Sequence, residues 1–272
     1  AGVAQEERHH QEEDPDHPVL TVLAGGGKEK IGNLKAHCPS IDILGINSYG
    51  PAALVNTMLD DAGWEKAYML TEFGPRGPWE ILHMPWGAPV EPRSGDKVVD
   101  YVSAHRSALA DVHGRCLGTF CFLWGNKQEA TSTWFGMYLP TGEKTPAVDA
   151  MGYEFTGRWP ANRSPQIHSF KSALAFDRVP AGREFTATVE TSDPEKDDLA
   201  YEWQVVPEST DRKSGGDREE APPVVAGCIR GPVGAKVTVR TPDQPGAYRL
   251  FVFVRDGRGG GCTENLPFFV QP

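Results

Sequence analysis

Four short apolar runs organise the first part of the chain, up to about residue 160. They read HPVLTVLAG, IDILGINSYG, AYMLTEFG and LGTFCFLWG. Runs that are apolar almost throughout are typical of strands buried on both faces, as in a parallel sheet covered by helices. Between the third and fourth runs, segment 96–113 predicts a helix whose buried face carries Val98, Val99, Val102, Leu109 and Val112. The pattern predicts an α/β region with a parallel sheet.

After residue 163 the apolar positions alternate with polar ones. REFTATVET, LAYEWQVV, AKVTVRT and YRLFVFVRD show this period of two, and Pro, Gly and Asp turns separate them. We therefore predict two domains, an α/β region over 1–163 and an all-β sandwich over 164–272. SDPEKDD, LAYEWQV and PGAYRLFVFVRDGRGGG resemble immunoglobulin-like domains of the PKD or cadherin-like type, with Trp203 as the core aromatic residue. Residues 208–223 predict a polar loop, and the start of the chain predicts a helix that Pro15 and Pro18 end.

Charge and composition narrow the class of partner. The 272 residues carry a formal net charge of −10 and contain no sustained Lys/Arg block, which argues against nucleic acid or an anionic membrane as the main partner. A small or neutral substrate fits better. No stretch approaches the ~20 apolar residues of a membrane span, and the first residues lack the basic start and apolar core of a signal peptide.

Cysteine and acidic residues give no firm metal site. The five cysteines form no CxxC pair, so a structural zinc site is not expected. Cys228 and Cys262 form a disulfide only if the compartment is oxidising, and the sequence leaves both possibilities open. The acidic residues between 193 and 198 match no dedicated calcium loop, which favours a solvated turn.

Candidate chemistry lies where the predicted strands end. Asn47 and Tyr49 follow the second run, Glu72 closes the third before a Gly/Pro-rich loop, and Trp124 closes the fourth. In β/α barrels the functional residues sit at the carboxyl ends of the strands. A lone glutamate after a strand is otherwise most often a loop acid or an ion-pair partner. The combination favours a site built around Glu72.

These motifs resemble the C-terminal half of the (β/α)8 TIM barrel of retaining glycoside hydrolases, in the clan that includes families 2 and 5. The resemblance covers residues 14 to about 165, with the four runs as strands five to eight. It implies that Glu72 is the nucleophile, that Tyr49 orients it, and that Trp124 is a sugar platform. Asn47 stands where many members have histidine, two residues before the tyrosine; it is a candidate for substrate binding, and the resemblance does not define its exact role. The substrate implied is a β-linked poly- or oligosaccharide, and the retaining mechanism needs no metal or organic cofactor.

Further candidates for substrate binding follow the third and fourth runs. Aromatic residues there either line a cleft or pin a loop, and polar turn residues either contact sugar hydroxyls or satisfy backbone groups. The candidates are Trp79, Trp86, Lys127, Glu129 and Trp134.

The second carboxylate of a retaining hydrolase is not evident in the sequence. In the family it follows an asparagine at the end of strand four, and no Asn-Glu pair precedes the first run here; Glu6, Glu7, Glu12 and Glu13 fall on the predicted first helix. Three hypotheses remain open: a fragment of a longer hydrolase, inactive alone; a half-barrel that pairs with a chain carrying the other strands or with a second copy; or a non-catalytic carbohydrate-binding or adhesion protein. The resemblance also implies a secreted or periplasmic location.

Overall fold

The computed structural model describes residues 14–213 and 216–272. The predicted first helix, with Glu6, Glu7, Glu12 and Glu13, lies outside the described residues. Over the described residues the fold is mixed α/β, with three sheets and few helices. The chain divides into two compact units, here called the sheet unit (up to Pro75, and Val99–Phe122) and the sandwich unit (Arg76–Val98 and Leu123–Pro272). This division groups segments 76–98 and 123–163 with the sandwich; the domain boundary at residue 163 stays a prediction.

The sheet unit contains a parallel four-stranded sheet in the order β1-β2-β3-β4. Each predicted apolar run contains one strand. A 3-10 helix, Gly50–Leu54, leads into α2. The strands are β1 (Leu20–Ala24), β2 (Ile43–Asn47), β3 (Ala67–Phe73) and β4 (Cys116–Cys121), and the helices of this part of the chain are α1 (Lys28–His37), α2 (Val55–Asp61) and α3 (Lys97–Leu109).

The two faces of this sheet differ in composition. Leu44 and Tyr68 are fully buried, and the Tyr68 hydroxyl bonds to the Asn56 side chain of α2 and to the Ala108 carbonyl of α3. The helices therefore cover that face. On the other face Gly45 lies against the Val22 and Thr71 side chains, which leave no room for a Cβ atom at position 45. The Asn47 and Thr71 side chains are hydrogen-bonded to each other on this second face.

The predicted buried face of α3 is wrong. Val99 and Leu109 are more than half exposed, and Val112 lies beyond the end of the helix and is 88% exposed. Tyr101, Ala104, His105 and Ala108 form the buried stripe instead. Their spacing of three and four residues is that of one helix face, and the two alanines permit close packing that the valines would prevent.

Two antiparallel-rich sheets form the β-sandwich of the sandwich unit, in the orders β5-β7-β10-β9 and β6-β12-β11-β8. Their shared core contains Trp203, whose indole N–H donates to the Gly234 carbonyl at 2.9 Å. The four predicted alternating segments correspond to β7, β8, β10 and β11; the sequence pattern did not predict β12, which contains Glu264 and Pro267. The elements are α4 (Pro146–Thr156), β5 (Gln166–Ser172), β6 (Arg178–Pro180), β7 (Glu184–Ser192), β8 (Ala200–Pro207), β9 (Ile229–Arg230), β10 (Lys236–Arg240), β11 (Gly246–Arg255) and β12 (Gly261–Gln271).

Cys228 and Cys262 are both buried and free, so no disulfide joins them. The acidic turn of residues 193–198 is held by its own bonds: Asp193 accepts from two backbone N–H groups, and Glu195 and Asp197 pair with arginines. Within residues 14–213 and 216–272, no group of three acidic, His or Cys side chains is arranged to hold a metal ion. No helix in these same ranges is long and apolar enough to cross a membrane.

Candidate functional site

Glu72 is the penultimate residue of β3 and lies beside Asn47, the last residue of β2. The pairing of these strands shifts register between Ile46 and Asn47, so that Asn47 faces Glu72 where the preceding ladder would have placed Thr71 opposite it. The Ser48 N–H then donates to the Glu72 carbonyl at 2.9 Å. This irregularity brings the ends of two parallel strands together, so both side chains leave the sheet at the same edge.

Tyr49 contacts the Glu72 carboxylate directly. Its hydroxyl donates to Glu72 Oε2 at 2.8 Å. The tyrosine precedes the 3-10 helix, where the backbone leaves the extended conformation, and its ring meets Phe122 edge-on with the centroids 6.0 Å apart. Since both the ring and the hydroxyl are held, the phenol restricts the orientation of the carboxylate.

A second hydrogen bond orders Asn47. The Thr71 hydroxyl donates to Asn47 Oδ1 at 2.7 Å, which directs the amide N–H₂ group of Asn47 away from Thr71. An amide with its oxygen already engaged is left to act as a donor. Asn47 is therefore suited to donate to a ligand oxygen atom that lies beyond the strand ends.

The backbone after Glu72 is fixed by close packing at Gly74. A Cβ atom there would lie 2.7 Å from the Phe122 carbonyl oxygen. That carbonyl accepts from the Tyr101 hydroxyl at 2.7 Å, and the Phe122 N–H donates to the Phe73 carbonyl at 2.8 Å. Burial raises the pKa of Tyr101 well above its ordinary value, so the phenol keeps its proton and this contact. The loop after Glu72 thus begins from a defined position.

Trp124 and Trp79 belong to the sandwich unit and present exposed rings. Trp124 is 48% exposed and lies against Phe155 with the ring centroids 6.3 Å apart. Trp79 is 60% exposed, packs over Gly77 and lies 6.1 Å from the Phe135 ring. The exposed part of each indole is an apolar surface on which a ligand could stack.

The other candidates of this unit are engaged with the protein. Trp134 is fully buried and donates its indole N–H to the Arg76 carbonyl at 2.9 Å, so its ring is not available to a ligand. Trp86 packs on Phe269 of β12, under the Arg178 guanidinium. Lys127 and Glu129 form an ion pair at 2.9 Å.

A buried polar network, which the sequence pattern did not predict, anchors segment 76–98 within the sandwich unit. Lys97 Nζ donates to Glu91 at 2.5 Å and to the Thr133 and Trp134 carbonyls, while Asn265 of β12 donates to the other Glu91 oxygen at 2.6 Å. Burial alone would raise the pKa of Glu91, but the Lys97 charge and the hydrogen bonds hold it below its usual range. For Lys97, burial disfavours the charged form and lowers its pKa. The only signal in the sequence is an acid and a lysine six residues apart, which identifies neither as buried.

Comparison with known proteins does not establish a family. No family model and no curated protein matches the chain. Among solved structures, the PKD domain of an M14-like peptidase from Thermoplasmatales archaeon SCGC AB-540-F20 is 18% identical and covers 41% of this chain and 100% of its own, with a TM-score of 0.28. PcoC, a methionine-rich copper resistance protein from Escherichia coli, is 19% identical over 40% of this chain and 99% of its own, with a TM-score of 0.26.

The GH51 alpha-L-arabinofuranosidase from Thermotoga petrophila RKU-1 is similar over a longer stretch. The match covers 97% of this chain and 60% of the arabinofuranosidase, at 9% identity and a TM-score of 0.37. The similar structures thus include a glycosidase and a PKD domain. At these identities and scores the likenesses carry no argument about activity.

Proposed function

We propose that the sheet unit is the nucleophile-bearing half of a retaining glycoside hydrolase barrel, acting on a β-linked poly- or oligosaccharide. The supporting observation is the hydrogen bond from the Tyr49 hydroxyl to Glu72 Oε2, formed where two adjacent parallel strands end. A carboxylate held by a phenol at the carboxyl edge of a parallel sheet is a suitable nucleophile, because its orientation is fixed before the substrate arrives.

In the proposed reaction, a Glu72 oxygen attacks the anomeric carbon while the bond to the leaving oxygen breaks. A covalent glycosyl-enzyme forms, and water then releases the sugar with net retention. Tyr49 holds the carboxylate, and Asn47 donates to a sugar oxygen. Within the sandwich unit, the exposed indoles of Trp124 and Trp79 are separate candidates for stacking on carbohydrate. Trp134 is left out of this proposal because its ring is buried.

The mechanism also needs a second carboxyl group about 5 Å from the first, which gives its proton to the leaving oxygen and then accepts a proton from the water that attacks the glycosyl-enzyme. No residue of the matched motifs supplies it, so the proposal includes a partner segment that carries the remaining barrel strands, from the same gene product or from another chain. We expect the chain without that segment to be inactive on ordinary glycosides, and we place the protein outside the cytoplasm by the same resemblance.

The test uses the protein in the form in which its source cells produce it, with whatever strands or partner that form carries. Hydrolysis of 2,4-dinitrophenyl β-glycosides is compared for the wild type, Glu72→Gln and Glu65→Gln. Dinitrophenolate leaves without protonation, so the assay isolates the nucleophile from the general acid. Glu65 is an exposed glutamate of the same unit and serves as the matched control. We expect turnover to be lost in Glu72→Gln alone; equal turnover in all three proteins excludes Glu72 as the nucleophile.

A second candidate function is carbohydrate binding without catalysis. The exposed Trp124 and Trp79 rings favour it, because stacking on a sugar requires no carboxylate. Retention on immobilised polysaccharide distinguishes the two. Binding is the function if Trp124→Ala abolishes retention on the polysaccharide while the Glu72→Gln protein keeps wild-type retention and turnover. Hydrolysis is the function if turnover is lost in the Glu72→Gln protein alone.

A further inference from the structure

A partly enclosed cavity of about 230 Å³ lies within the sandwich unit, on the side of β8 and β11 that faces away from the sandwich core. The strands alternate in the expected way: Trp203 and Leu250 point into the core, while Gln204 and Phe251 line the cavity. Segment 128–141 and residues Ser209, Ala221, Pro222 and Val224 supply the rest of the lining. The volume lies below the ~300 Å³ at which pockets for drug-sized ligands begin, so it suits one small ring.

One wall of the cavity is apolar. The Phe251 and Phe253 rings are parallel, with centroids 5.8 Å apart and an interplanar angle of 6°, and they pack with Leu139 and Val206. An ordered aromatic wall favours a ligand that presents an apolar face. A ligand polar on every side would lose its hydration against this wall without compensation.

The opposite wall carries an unsatisfied donor. Gln128 lines the cavity, and its Nε2 is buried with no hydrogen-bond partner. Leaving a buried amide donor unpaired costs roughly 1–3 kcal/mol. The terminal torsion of glutamine is broad, so a small rotation of the carboxamide would direct this donor at an oxygen atom in the cavity. The ligand therefore needs at least one acceptor.

Charges in the cavity wall are already paired. Arg249 binds Glu208, and Arg255 binds Glu143 and Glu202. Each guanidinium thus has a carboxylate partner within 3.0 Å, and an anionic ligand would have to displace it. The wall offers no uncompensated charge to recruit an ion, which favours a neutral ligand.

We infer that this cavity binds a neutral cyclic polyol, such as a single sugar ring, with a hydroxyl oxygen accepting from Gln128. Its apolar face lies on Phe251, because the Arg255 guanidinium lies over the Phe253 ring, 5.6 Å from its centroid. The inference does not depend on Glu72 and goes beyond the proposed hydrolase function. It adds a ligand site in the sandwich unit, formed by segment 128–141 together with the outward face of β8 and β11.

The experiment is an NMR titration of the ¹⁵N-labelled protein with methyl β-glycosides of glucose, galactose, mannose and xylose and with methyl α-L-arabinofuranoside, and with glucuronate as the charged comparison. The Gln128 side-chain amide signals, identified by their loss in Gln128→Ala, report on the cavity directly. We expect at least one neutral glycoside to shift them, and glucuronate to shift them less.

Variants separate this site from others. We expect Gln128→Ala to weaken the neutral glycoside about five-fold or more, from loss of one hydrogen bond. Ala221→Trp, at an exposed position on the cavity wall, is expected to block binding while the fold is retained. Gln166→Ala, at an exposed glutamine, should leave affinity unchanged. Overturning results are no shift with any neutral glycoside, stronger binding of glucuronate, or equal affinity in the Ala221→Trp protein.

Discussion

Glu264 on β12 gives the sandwich unit a predicted pH-dependent loss of stability. Its neighbours on the same side of the strand, Cys262 and Leu266, are almost fully buried, and its Oε2 is buried without a partner. Burial raises the pKa of Glu264 from 4.5 to about 7, while the nearby charges oppose one another, Arg93 lowering it and Asp96 raising it. Between pH 4.5 and about pH 7, Glu264 therefore keeps its proton in the folded protein, whereas the unfolded chain releases it.

This difference in pKa between the folded and unfolded states determines how the free energy of unfolding changes with pH. Below pH 4.5 both states are protonated and the residue has no effect; between pH 4.5 and 7 the unfolded state binds fewer protons, so the free energy of unfolding falls as pH rises. At about 1.4 kcal/mol for each tenfold change in proton affinity, Glu264 would lower stability by about 1 kcal/mol at pH 5 and at most about 3 kcal/mol at pH 8. Contact with water at the strand edge reduces these values.

The assay is urea unfolding of the wild type and of Glu264→Gln at pH 5 and pH 8, followed by the fluorescence of the protein, in which Trp203 reports on the sandwich core. Glutamine has almost the same shape and no charge, and any effect of its amide is the same at both pH values. The gain in stability from the substitution should be larger at pH 8 than at pH 5 by roughly 1–2 kcal/mol. The control is Glu190→Gln, an exposed position on β7. An equal gain at both pH values would refute the reasoning.

Three further predictions follow from the described contacts. Lys97→Met should lower the free energy of unfolding by about 3 kcal/mol or more, because it leaves the Glu91 carboxylate buried without its cation. Glu91→Gln combined with Lys97→Met should recover part of this loss. A loss below about 1 kcal/mol in urea unfolding would mean that water reaches this pair. Tyr49→Phe removes one hydrogen bond to a charged group and should lower kcat/KM on dinitrophenyl glycosides about tenfold or more, with stability nearly unchanged, and wild-type kcat/KM would contradict this. Gly74→Ala should destabilise the protein by about 1–3 kcal/mol, since its Cβ would lie 2.7 Å from the Phe122 carbonyl, and a melting temperature equal to that of the wild type would show that the backbone yields freely.

Local patterns predicted the strands because their signals are local. The apolar runs and the alternating segments depend on neighbouring residues only, and both appear in the structure as strands. The α3 helix was also predicted, but its buried face was not, because valine spacing alone does not reveal that Tyr101 and two alanines pack against the neighbouring elements. The sequence did not predict β12 for a similar reason. Glu264 and Pro267 interrupt the pattern of alternating apolar residues, and the strand is buried because of its neighbours in the sheet.

The site could be predicted only in part. The strand ends placed Asn47, Tyr49 and Glu72 near one edge, and the bond between Tyr49 and Glu72 has the geometry that such placement allows. The sequence did not indicate that Trp134 is buried, nor that Glu91 pairs with Lys97, because both depend on contacts between segments far apart in the chain. Long-range polar pairs leave no periodic signal.

The most direct test of the central claim is trapping of the nucleophile. The protein in the form made by its source cells is incubated with a panel of 2,4-dinitrophenyl 2-deoxy-2-fluoro-β-glycosides, which form the glycosyl-enzyme but hydrolyse slowly, and the labelled peptide is identified by mass spectrometry. We predict one sugar per protein on the peptide that contains Glu72, and none in Glu72→Gln. A label on another carboxylate, or no label with any sugar of the panel, would contradict the assignment.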